Sequence, residues 1–94
     1  MTPHEELLAA VCEAGHDDAV LFDTEAFDGA LVGFTQDGRA VYDYEMMVDG
    51  LVHDDGMEPE EAADFIGYNT IRAIPYAGPK APVVVFKFDK NDWI

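Results

Sequence analysis

Ala30-Leu31-Val32-Gly33-Phe34-Thr35-Gln36-Asp37-Gly38-Arg39-Ala40-Val41-Tyr42 is the stretch on which the fold turns. Two runs rich in apolar and β-branched residues flank Asp37-Gly38, and a glycine at that point can take the positive φ that a tight turn needs. The stretch therefore predicts a β-hairpin, with strands over 30–35 and 39–42.

Immediately downstream, Asp43 is placed to cap a helix in which Tyr44, Met47, Val48, Leu51 and Val52 recur on one face until Asp54-Asp55-Gly56 breaks it. A further helix starts near Glu58, with Pro59 in its first turn and Glu60, Glu61 and Asp64 near the positive end of its dipole. Its apolar stripe takes in Ala62, Phe65, Ile66 and Ala73. Pro75, Gly78, Pro79 and Pro82 then predict a loop, and the β-branched and aromatic run 83–88 predicts a strand that pairs with the hairpin.

Upstream, Thr2, Pro3 and Glu5 form a capping-box pattern, Leu7, Leu8, Val11 and Cys12 follow at helical spacing, and Gly15 can end the helix, which is predicted over 3–14. The run 19–22 has the character of a strand or buried turn, and 23–29 that of a turn or a single helical turn. The expectation is one α+β domain over 1–94, a small antiparallel sheet of three or four strands with about three helices on one face.

Charge narrows the function. Twenty acidic residues against five basic ones give a formal net charge of −15, while apolar residues at 49% are enough for a core. Eighteen of the acids lie at or before Asp64 with Arg39 as the only base among them. Binding nucleic acid draws on Lys and Arg to neutralise phosphates, and an anionic membrane repels such a chain, so neither is expected as a direct partner. The field attracts a basic protein surface instead. With no secretory signal pattern or apolar span of membrane length, the expected location is the cytoplasm.

No reading favours catalysis or a cofactor. There is no serine and no glycine-rich phosphate loop, and Cys12, the single cysteine, falls in the apolar pattern of its helix, where it is expected as a small hydrophobe. Asp23, Glu25, Asp28 and Gly29 lack the spacing of a calcium loop, since Gly falls at position 7 and Phe34 at position 12. His4, His16 and His53 are scattered, and His53 beside Asp54 and Asp55 makes a poor metal cage because neighbours on a helix point apart. Tyr68, Asn69, Arg72 and Tyr76 are the most distinctive polar and aromatic group. They are expected to hold a loop, with Arg72 paired to an acid and the tyrosines as anchors, and form an alternative ligand site.

The sequence Asp37-Gly-Arg-Ala-Val-Tyr-Asp-Tyr44, together with Tyr68-Asn-Thr-Ile-Arg-Ala73 and Pro75-Tyr76, resembles a group of small acidic proteins of bacteria and of their phages and mobile elements, over roughly 30–88. The resemblance implies a genomic setting and a bacterial host, and it brings no catalytic residue with it. In size and charge the chain is also similar to anti-CRISPR proteins that present carboxylates where nucleic-acid phosphates would lie. That likeness implies an inhibitor that covers the basic nucleic-acid-binding surface of a CRISPR effector. The residues expected to meet the partner are Asp43, Glu45, Asp49, Asp54, Asp55, Glu58, Glu60, Glu61 and Asp64, which gather around two helix starts and the loop between them. Two alternatives stand beside it: a self-associating accessory protein, in particular a homodimer using Trp93 and Ile94, and a small ligand-binding domain.

Overall fold

The computed structural model of the chain describes residues 3–88, so the capping role read for Thr2 and the surface read at Trp93 and Ile94 lie outside the described residues. The hairpin forms as its turn chemistry dictates: β1 (Leu31–Phe34) runs antiparallel to β2 (Ala40–Asp43). Gly38 takes φ +85°, its N–H donates to the Thr35 carbonyl at 2.9 Å, and the Thr35 hydroxyl donates to Asp37. A left-handed glycine in that place lets the strands leave the turn with matched twist. A bulge between Leu31 and Gly33 bends the outer strand.

Asp43 ends β2 and caps α2 (Tyr44–Asp55), its carboxylate accepting from the Met46 N–H at 3.0 Å. Met47 and Leu51 on the inward stripe of α2 are fully buried, with Tyr44, Val48 and Val52 packed at their margin. Gly56 closes the helix at φ +70° with its N–H on the Leu51 carbonyl. α3 (Pro59–Phe65) follows and buries Ala62.

Beyond α3 the predicted stripe breaks phase. A π turn at Ile66–Thr70 passes into a 3-10 helix at Ile71–Tyr76, which contains Pro75. The wider turn brings Ile66 and Thr70 inward, after which positions 71 and 74 are half-buried and Ala73 is exposed, against its expected place on the apolar stripe.

The chain returns to the sheet at β3 (Val83–Val85), which pairs with β2 with Tyr42 opposite Val84. The strand ends at Val85, short of the expected 83–88; it pairs with the hairpin as expected, but in parallel, so the three-stranded sheet is mixed and not antiparallel throughout. Parallel neighbours need a crossover, and α2, α3 and the turns after them supply one. Lys80 and Arg39 fasten that return, Lys80 donating to the Asp37 carbonyl and Arg39 Nε to the Ala81 carbonyl at 2.8 Å. Parallel pairing, α2 and α3 aside, leaves the architecture α+β.

At the other end, α1 (Pro3–Glu13) finishes in a Schellman turn, with Gly15 at φ +95° donating to Cys12 and His16 donating to Val11. Only Val11 of this helix is buried; Cys12 is exposed, which corrects its expected place in the core. The 19–22 run forms no strand, though Leu21 and Phe22 pack on the core. A 3-10 helix at Glu25–Ala30 follows. Its Phe27 and Ala30 complete a core with Ala40, Tyr42, Met47, Leu51, Ala62 and Ile66. No helix among the described residues is long and apolar enough to cross a membrane.

Candidate functional site

An aspartate at a helix start can serve the fold or a partner, and Asp43 serves the fold, because its carboxylate is held by the α2 cap. The other eight acids expected to meet a partner, Glu45, Asp49, Asp54, Asp55, Glu58, Glu60, Glu61 and Asp64, are all exposed. None of them makes an ion pair among the described residues, where the recorded pairs are His4 with Asp28 and Lys80 with Asp18. Between positions 44 and 65 there is no Lys or Arg. Like charges therefore stand at helical spacing without relief, as Glu45 and Asp49 do. Asp54 and Asp55 lie in the last turn of α2, where the helix dipole is negative and an acid costs stability.

The acids border apolar surface as well as solvent. Tyr44, Val48, Pro59 and Ala63 line a groove of about 400 Å³ between α2 and α3, with Glu45 and Asp49 on its rim. Asp49 also borders a hollow of about 310 Å³ on the other side of α2, with Met46, Asp54 and Glu25 around it. The Phe86 ring lies 4.6 Å from that of Tyr44, joining the groove to the end of β3. Val85, Phe86 and Phe88 are exposed there, an apolar strip of the kind that self-association would use.

The 68–76 segment is not the loop anchor expected. Tyr68 is 67% and Tyr76 89% exposed, and Arg72 is exposed with no ion pair among the described residues. The π turn is the cause, since it turns Thr70 inward in place of its neighbours. Asn69 and Thr70 instead line a cleft of about 250 Å³, opposite Phe22, Asp23, Thr24 and Phe27. Tyr68, Arg72 and Tyr76 do not border it.

A second link escaped the sequence reading. His4 Nδ1 lies 2.9 Å from Asp28 and ties α1 to the 3-10 helix; the hydrogen bond to Asp28 raises the His4 pKa above its usual 6.5. Twenty-four positions separate the two residues, too many for any local spacing rule to connect them. Tyr42 has no exposed surface, its hydroxyl accepts from the Phe22 N–H at 3.2 Å, and burial pushes its pKa up to about 12. It is a core residue.

Comparison with protein-family models, with curated proteins and with solved structures gave no match to this chain.

Proposed function

We propose that the protein is a small acidic binder that docks on a basic protein surface through α2 and α3 and thereby keeps nucleic acid off that surface. The observation that carries this reading is the groove of Tyr44, Val48, Pro59 and Ala63, rimmed by Glu45 and Asp49 on a stretch without any Lys or Arg. Unpaired carboxylates beside a desolvatable apolar patch provide the two parts of a protein interface, an anchor and a charged rim. The acids at the end of α2 also sit where they weaken the helix, a cost that a contact role would offset. Expected partners are proteins whose basic surface takes DNA or RNA, and a CRISPR effector of a bacterial host is one member of that class.

The test is competition. Labelled nucleic acid bound to candidate effectors, CRISPR effectors among them, should be displaced by this protein, and displacement should weaken steeply as salt rises. Reversing Glu45 and Asp49, or Glu58, Glu60 and Glu61, to Lys should lower the partner's affinity by at least about tenfold. Displacement that survives both the reversals and high salt would refute the reading.

A second reading is favoured by Val85, Phe86 and Phe88, which would let two copies pair through β3. Sedimentation across a range of concentrations decides it, a constant monomer mass ruling it out.

A further inference from the structure

We propose that the cleft beside the π turn binds a small primary amine with an apolar body, at a site separate from the acidic face of α2 and α3. Thr70 carries the argument. It is the one polar residue among those described that is buried, at 8% exposure, and its hydroxyl makes no hydrogen bond among the described residues. Among the described residues no side-chain oxygen or nitrogen is both sealed from solvent and unpartnered, so the Thr70 hydroxyl opens on the cleft that Thr70 lines. A residue nine-tenths buried whose hydroxyl finds no partner in the protein and reaches only the cleft is free to bond to what occupies that cleft, and valine would fill the same space without that group. The π turn that brings Thr70 inward is itself an uncommon geometry that recurs where helices serve a site.

The rest of the lining sets the chemistry. Val20, Phe22, Ala73 and Ile74 supply apolar surface over the buried Phe27 and Pro82, and Thr24 and Asn69 add polar groups to the lining. Asp23 is the sole charged residue that borders the cleft, and it makes no ion pair among the described residues. Asp23 is exposed, and His4 on α1 is near enough to feel its charge, but no Lys or Arg borders the cleft, so the lining favours a cation over an anion. An ammonium can pair with Asp23 and hydrogen-bond to Thr70, with a ring or short alkyl body against Phe22 and Ile74. The volume of about 250 Å³ admits a molecule on the order of ten non-hydrogen atoms.

The experiment is a titration of the isotope-labelled full chain with 2-phenylethylamine, followed by the backbone amide signals, with 3-phenylpropionate as the anionic control. Saturable shifts centred on Asp23, Asn69 and Thr70 are expected from the amine and not from the acid. Asp23→Asn should weaken amine binding about tenfold. Thr70→Val should weaken it severalfold while leaving the melting temperature equal to or above that of the parent. Shifts centred on the acids of 44–65, equal binding of the propionate, or a clear drop in melting temperature for Thr70→Val would each overturn the proposal. Because the readout needs no protein partner, it stands or falls apart from the docking of α2 and α3.

Discussion

Ala26 holds its carbonyl oxygen so close to α2 that a Cβ built on Gly50 would lie 2.0 Å from it, against backbone that cannot swing aside. A glycine in mid-helix ordinarily costs stability, and here it lets α2 settle on the 3-10 helix that carries Phe27. Gly50→Ala gains up to about 1 kcal/mol of helix propensity but meets an overpacking cost of about 1–3 kcal/mol. The expected result is a lower urea midpoint with an unchanged slope; a midpoint equal to or above the parent's would show that the two helices can part at little cost. Tyr42 offers a second test at this scale. Its folded pKa of about 12 lies above the ordinary 10.0, so the folded state holds its proton more tightly than the unfolded chain. Stability from this group is thus complete below the ordinary value and is lost as pH climbs from there toward about 12. Tyr42→Phe should remove that alkaline loss while lowering stability at neutral pH by about 1–3 kcal/mol, because the Phe22 N–H loses its acceptor. Equal alkaline slopes for parent and variant in chemical denaturation would contradict this.

Among the elements, α1 buries only Val11, and His4 on Asp28 is one polar tie that holds it to the rest of the fold. Since the folded-state pKa of His4 is raised, the tie is at full strength below the ordinary 6.5 and fades as pH rises through the raised value. An NMR titration should find the His4 ring titrating above 6.5 and, in Asp28→Asn, moving down; a ring indifferent to that substitution would dissolve the link. Nothing local in the sequence announces this pairing, and the same divide separates what could be read from what could not. The hairpin and the α2 stripe were legible because a turn needs only Asp37 and Gly38, and a helix face only its own spacing. The existence of β3 was legible for the same reason, but its direction was not, because that depends on where the chain from α2 to Pro82 comes back. Asn69 stood out as a polar residue in an apolar helix and does border the cleft; the roles of Tyr68, Arg72 and Tyr76 were misjudged because a π turn has no signature in composition and shifts every later side chain. Cys12 was misplaced because helical spacing shows which residues share a face and not whether that face meets a core. The exposed acids, by contrast, could be placed in advance, since unpaired carboxylates are almost never buried.

For the whole molecule, a formal charge of −15 on 94 residues is a load that the fold must carry whether or not a partner is present. The recorded ion pairs among the described residues, Lys80 with Asp18 at 3.7 Å and His4 with Asp28, relieve little of it, and Arg39 is spent on the Ala81 carbonyl. Repulsion among acids on α2 and α3 should therefore exceed attraction, so screening ought to stabilise the folded state, the reverse of what a protein rich in surface ion pairs shows. Between about 0.01 and 0.2 M sodium chloride the Debye length contracts from about 30 to under 10 Å, and the melting temperature should climb by several degrees before levelling off. Sodium chloride is the right salt, because sulfate would add its own strengthening of apolar burial. Replacing Glu60, Glu61 and Asp64 by Gln, Gln and Asn should flatten the rise if the repulsion is concentrated on these helices. A melting temperature that falls with salt would mean that attractive pairs dominate, and the acids of 44–65 would then have to be regarded as members of a stabilising network, which is incompatible with a face kept unpaired for a basic partner.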